Sequence, residues 1–123
     1  MRPAEENVAE RKYFVRRAAE CPTDVSICGT RQRLITSADT PLNSFSRVQI
    51  SDAQAHYHEH TTEFYYVLEG TGFIQLDGET IALSQGDMVM IQPGVKHRAY
   101  GNITALVVGN PPFTTDDQFE ADM

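Results

Sequence analysis

"AHYHEHTTEFYYVLEG", residues 55–70, holds three of the chain's four histidines. His56, His58 and His60 are spaced two apart, and Glu63 follows three residues later. On a β-strand, side chains two apart point the same way, so these imidazoles line one face, with Gln54 in the same row. Cα atoms two apart are separated by roughly 6.6 Å. Two such neighbours can tilt together and bring nitrogens to ~2.0–2.1 Å from one metal ion. Three in a row spread too far, so one is excluded. Strict alternation puts Glu63 on the opposite face. It joins the histidines only if Thr61-Thr62 makes a turn or bulge that resets the phase. His97 is the fourth candidate, arriving from a distant segment after the turn Pro93-Gly94.

Outward from this stretch, the text reads as β from Ser46 onward. From Ser46, apolar runs of four to six residues alternate with turn residues at regular intervals, as in a β-sandwich or barrel. Strands are expected at 46–51, 54–60, 63–69, 72–76, 79–83, 87–91, 96–100 and 103–108. Asp77-Gly78 sits between two of them and is a strong hairpin signal. "DMVMI", residues 87–91, is apolar on both faces, which predicts cover on both sides. The N-terminal segment or a second subunit would supply it, and a homodimer is expected.

The chain has 123 residues, enough for one domain with one core. Its net charge is −7, from 10 basic and 17 acidic residues. That balance argues against nucleic acid and anionic membrane as partners, because phosphate binding needs clustered Lys and Arg. Cys21 and Cys28 have a C-x6-C spacing that is neither a zinc nor a redox signature. Two free thiols in a reducing cytoplasm are expected. "MRPAEENVAERKYF" lacks the apolar core of a secretory signal, and no run approaches the ~18 apolar residues of a membrane span. A soluble, cytoplasmic protein is the expectation. Residues 1–45 read as an irregular N-terminal arm with short β-prone pieces, and "AEENVAERKYFVRRAAE" fits a short helix or an edge strand. Residues 46–112 read as the barrel core. Pro111-Pro112 stops the last strand, and the acidic tail 113–123 is expected to be loose.

Two stretches together resemble the paired motifs of the cupin superfamily. The first runs His56-Tyr57-His58, four residues, Glu63, six residues, Gly70. The second runs Gly86, then Pro93-Gly94, two residues, His97. Three positions depart from the pattern: Ile50 and Gln92 stand where the motifs have glycine and proline, and Gly101 where they have asparagine. The resemblance implies a double-stranded β-helix, or jelly-roll, barrel of the small single-domain type. It also implies a metal centre of His56, His58, Glu63 and His97. Such a shell of imidazoles and one carboxylate suits a single divalent Mn, Fe, Ni, Zn or Cu ion, with two positions of a six-coordinate ion left open. Dioxygenation, decarboxylation, isomerisation or lyase chemistry on a small polar molecule would follow. The alternative is a binding module that holds a metabolite at the metal without turnover.

His60 is then the spare histidine, either a proton shuttle beside the metal or a solvated residue at the barrel rim. If Glu63 faces inward, Tyr65 does too, and its hydroxyl could meet a substrate or simply pack. Gln75 is a polar strand residue that could reach the interior. Arg47 would pair with a carboxylate substrate if its face is inward, and would be a surface charge if outward.

Overall fold

The computed structural model describes residues 12–123. Residues 1–11, and with them positions 4–11 of the expected N-terminal helix or edge strand at 4–20, lie outside the described residues. Lys12–Arg17 have no regular structure, and a single 3-10 turn follows at Ala18–Glu20.

Two long strands organise the rest. β5 (Thr62–Leu76) and β8 (His97–Asn110) pair antiparallel from Thr62 opposite Asn110 to Leu76 opposite His97. On its other side β8 pairs with β3 (Ser44–Asp52), which carries the hairpin of β1 (Thr23–Ser26) and β2 (Gly29–Ile35). The other edge of β5 takes β7 (Met88–Ile91) along its first half and β6 (Glu79–Ser84) along its second. A short β4 (His56–Tyr57) lies between the start of β8 and β9 (Phe119–Glu120). This curled antiparallel sheet is the expected all-β, cupin-type double-stranded β-helix barrel.

Alternation sorts each strand into an inner and an outer face. Glu63, Tyr65 and Val67 point inward on β5, and a bulge between Val67 and Glu69 re-phases the strand so that Gly72 and Ile74 are buried next. Val48, Ile50, Ile91, Ile103 and Ala105 complete the apolar interior. Each large aliphatic side chain there contributes about 1.5–3 kcal/mol by leaving water.

Two differences from the sequence reading have physical causes. First, 63–69 and 72–76 are one strand, as are 96–100 and 103–108. The glycines between them bend strands instead of ending them. Gly101 has φ +119°, lies opposite Gly72, and a Cβ on it would sit 2.7 Å from the Gly72 Cα. Only glycine fits that backbone, which explains why the asparagine of the resembled motif is absent here.

Second, the expected strand 54–60 shrinks to β4, because the chain bends at Glu59 and His60. The N–H groups of Glu59, His60 and Thr61 all donate to the Asp117 carboxylate, at 2.8, 3.1 and 2.9 Å. The tail that was expected to be loose therefore latches the barrel. Thr115–Asp117 forms a 3-10 turn, Phe119 and Glu120 pair with Tyr57 and His56, and the Phe119 ring stacks on Tyr57.

Within the described residues, "DMVMI" is covered on one side, and the other side is left to the expected second subunit. Ile91 is buried, but Met88 and Met90 on the outer face are 60% and 55% exposed, beside Tyr66. Arm residues Phe14 and Arg16 instead border a groove with Leu34, Phe45 and Leu106. Among the described residues, no helix is long and apolar enough to cross a membrane.

Replacing Asp117 with Ala leaves three backbone donors without their charged acceptor. The expected cost is about 3 kcal/mol, or on the order of 10 °C in Tm, with a smaller loss for Asp117→Asn. Thermal melts followed by circular dichroism measure this. An unchanged Tm in Asp117→Ala would show that the tail does not latch the barrel.

Candidate metal centre

The bend at 59–60 is what brings the four candidate ligands together. His56 points inward from β4 and His58 follows on the same side. Glu63, the second residue of β5, then returns to that side because the loop has shifted the phase. The expected phase break exists, and it lies at Glu59–Thr61, just before the position anticipated. His97 opens β8 directly opposite His56. Its approach is set by two turns. Gly94 N–H donates to the His58 carbonyl at 2.7 Å, and Asp77 at the hairpin tip bonds both the N–H and the carbonyl of Lys96.

One ligand atom from each of His56, His58, Glu63 and His97 lies within 4.8 Å of the others, and all four residues are buried. The rings are oriented by a common device. His56 Nδ1–H donates to the Gln54 carbonyl at 2.8 Å, His58 Nδ1–H to the Asp117 carbonyl at 2.6 Å, and His97 Nδ1–H to the Val95 carbonyl at 2.9 Å. A carbonyl only accepts, so Nδ1 carries the proton in each ring. In a neutral ring Nε2 then holds the lone pair, the arrangement of a metal-binding imidazole.

The Nε2 atoms of His58 and His97 both lie 3.1 Å from Oε1 of Glu63. His58 Nε2 is buried with no hydrogen-bond partner. Lone pairs facing a carboxylate at that distance repel unless a proton or a cation lies among them. The donor set fits a divalent transition metal on this ground, and the four residues named would hold it.

The electrostatics of the metal-free protein follow the same logic. Burial alone would push the Glu63 carboxyl up, but the facing rings of His58 and His97 outweigh it and bring it to about 2. Burial works downward on His58, yet Glu63 and then Asp117 outweigh it and raise its pKa. Burial, then repulsion from His97, lowers His56 to about 4.

A cavity of about 50 Å³ opens beside the cluster. Its wall includes His56, His58 and Glu63, with Ser44, Ser46 and Val48 from β3, Cys28 and Arg31 from the first hairpin, and Phe113 and Gln118 from the tail. Cys28 Sγ is 3.9 Å from both His56 Nε2 and the Tyr65 hydroxyl. Burial, reinforced by Glu63, pushes the Cys28 thiol up to about 12, so it is neutral.

The other residues picked from sequence scatter. Tyr65 is buried, with its ring edge-on to His97, 6.1 Å between centroids. Burial, then Cys28 and Glu63, raises its pKa well above the ordinary value. His60 has an exposed side chain and does not line the cavity. Gln75 follows Ile74 on the outer face, where it accepts a hydrogen bond from Arg98 at 3.3 Å. Arg47 also faces outward, in a groove with Gln32 and Gln49, 3.9 Å from Glu69. Sequence reading missed Arg31, Phe113, Asp117 and Gln118. Their roles come from register and from the docking of the tail, and no local spacing signals them.

A closed jelly-roll with three buried imidazoles and a carboxylate converging from β4, β5 and β8 defines a double-stranded β-helix protein with a metal-type donor set. The cupin domain family matches residues 48–108, and the chain belongs to the cupin superfamily. It is 33% identical over 66 residues to the uncharacterized protein MJ1618 of Methanocaldococcus jannaschii, over 50% of this chain. The match takes in 53% of that protein, so the chain spans about half the length of this relative. A protein from Planctomyces limnophilus superposes with a TM-score of 0.82 at 28% identity, covering 90% of this chain and 98% of that one. Pac13, a nucleoside dehydratase of Streptomyces, superposes with a TM-score of 0.80 at 17% identity, covering 92% and 93%. That likeness shows the fold alone.

His58→Ala removes the ring whose Nε2 has no hydrogen-bond partner, and is expected to abolish stoichiometric metal in the purified protein. Elemental analysis of both proteins, expressed in parallel and desalted, reads this out. Full occupancy in the variant would show that His58 is not a ligand.

Proposed function

We propose that the protein is a small metal-dependent enzyme that transforms a small polar metabolite at one divalent transition metal ion held by His56, His58, Glu63 and His97. The observation that carries this is the arrangement of the three rings: each is tied by Nδ1–H to a backbone carbonyl, and their Nε2 atoms gather with one carboxylate. A structural histidine has no need of such tethering toward a common point. When bound, the ion would polarise a substrate oxygen or activate water or dioxygen.

The chain's own residues supply the setting. The carbonyls of Gln54, Val95 and Asp117 hold the rings in register, and the tail residues Phe113 and Gln118 narrow the cavity. Tyr65 and Cys28 stay protonated and available as hydrogen-bond donors. Substrate contacts by Tyr65, Arg47 and Gln75 were offered by the sequence. The placement of Tyr65 beside the cluster supports it, while the outer positions of Arg47 and Gln75 favour structural roles, and the exposed His60 fits a rim residue. The two unpaired thiols fit a reducing compartment such as the cytoplasm.

One observation favours the alternative of a non-catalytic binder. Apart from the ligand set, the titratable side chains on the cavity wall are Cys28 and Arg31, and neither exchanges protons readily near neutrality. A metabolite panel assayed by mass spectrometry with and without a chelator separates the two readings. Product formation that the chelator abolishes and the metal restores is expected. Chelator-sensitive binding with no product from any compound would favour the binder.

A second copy of the chain is the proposed cover for the exposed face of Met88, Met90 and Tyr66. Light scattering at micromolar concentration should give twice the 13.8 kDa chain mass. A monomer would remove this part of the reading.

A further inference from the structure

The cavity contains one fixed cation that the proposed metal chemistry does not use. Arg31 on β2 lies opposite Val48 of β3, so it shares the inward face that leads to the ligands. Its side chain is only 16% exposed, and it lines the same cavity as His56, His58 and Glu63. The cross-strand partner Asp24 accepts from its Nε at 2.8 Å and also holds Arg33 at 3.2 Å. On another side, the Arg31 guanidinium lies 5.8 Å from the Phe113 ring centroid. That ring in turn meets His58 edge-on at 5.8 Å. Arg31 is thus held in place through Nε, while its two terminal nitrogens have no acceptor among the described residues.

Neutral hydrogen-bonding groups face the same space. Ser44 Oγ accepts from the Phe113 N–H at 2.9 Å, which leaves its hydroxyl proton to donate elsewhere. The Ser46 hydroxyl and the Gln118 amide have no hydrogen-bond partner among the described residues, and both residues line the cavity. Charge adds to the argument. Three neutral imidazoles and one carboxylate leave a divalent ion with a net charge of about +1. Arg31 adds another positive charge, which Asp24 shares with Arg33. The cavity is therefore a cationic spot in a chain of net charge −7.

We infer that Arg31 is the anion-recognition point of this site, and that the ligand is a small carboxylic acid whose carboxylate pairs with the free edge of the guanidinium while its other end reaches the His/Glu centre. This rests on the metal reading above. The planar fork of arginine matches a carboxylate in two parallel hydrogen bonds, which lysine cannot reproduce. One arginine whose charge is half shared with Asp24 suits a monoanion better than the more highly charged phosphate.

The test uses full-length protein loaded with Co²⁺, whose visible bands report ligation. Glycolate, lactate and pyruvate are titrated beside their primary amides and inorganic phosphate, into wild type, Arg31→Gln and Arg31→Lys. At least one acid is expected to bind the wild type at millimolar concentration or better and to shift the cobalt bands. Arg31→Gln should weaken that acid by about tenfold or more, with Arg31→Lys in between. The amides should bind equally weakly to all three proteins, a selectivity that a merely structural role for Arg31 would not produce.

Equal acid affinity in wild type and Arg31→Gln, no binding of any acid, or tighter binding of phosphate would each overturn the assignment. Melting curves with cobalt bound confirm that the variants are folded, and a variant that fails to fold is replaced by Arg31→Met. If wild type takes up no Co²⁺, the metal reading fails instead. Arg31 is then judged by calorimetry of the same compounds on the metal-free proteins, with the same acid-against-amide comparison deciding.

Discussion

Three consecutive backbone N–H groups, from Glu59, His60 and Thr61, end on one carboxylate, that of Asp117. The geometry of the site depends on this contact. A regular strand through 54–63 would turn Glu63 away from His56 and His58, because alternation is strict. Bending the chain at 59–60 shifts the phase, and bending a buried chain exposes donors that need an acceptor. Asp117 supplies it for all three, and its own carbonyl then takes the Nδ1–H of His58. One residue from the tail thus stabilises the break in the strand and orients the ring next to it. Burial works to raise the Asp117 carboxyl, but those N–H groups outweigh it and hold it low. The latch is therefore present at neutral pH and weakens only as acid protonates the carboxylate.

The same economy recurs around the cluster. Buried imidazoles and a buried carboxylate are expensive unless every polar atom has a use. The Nδ1 atoms are satisfied by carbonyls, which leaves only the inward atoms, and these face one another. In the metal-free protein Glu63 raises the pKa of His58, while burial and then repulsion from His97 lower that of His56. A divalent cation balances the inward atoms without choosing between rings. The fold positions the donors by hydrogen bonds to the backbone, from the Asp117 carboxylate and through the turns at Pro93-Gly94 and Asp77-Gly78.

Much of this was legible in the sequence. The spacing of His56, His58 and Glu63, the distant His97, and the need for a phase break are all visible in the letters, as is the β character of residues 46–110. What was not legible is instructive. Gly70, Gly72 and Gly101 read as strand ends, but they bend strands that continue, because a glycine permits a turn without requiring one. The tail read as loose because acidic, Thr-rich text carries no periodicity. Its order comes from contacts made some sixty positions away in sequence, at 57–61.

The side chains on the cavity wall show the limit most sharply. Arg31 and Arg47 are both arginines on neighbouring strands, and nothing in their local sequence separates them. Cross-strand register does. Arg31 pairs with Val48 and Arg47 with Gln32, so adjacent rungs of one ladder send the first inward and the second outward. A single-residue slip between β2 and β3 would exchange them. The lining of this cavity is thus set by pairing over long sequence distances, whereas the four candidate ligands are set mainly by spacing within two short motifs. The two kinds of information differ in range.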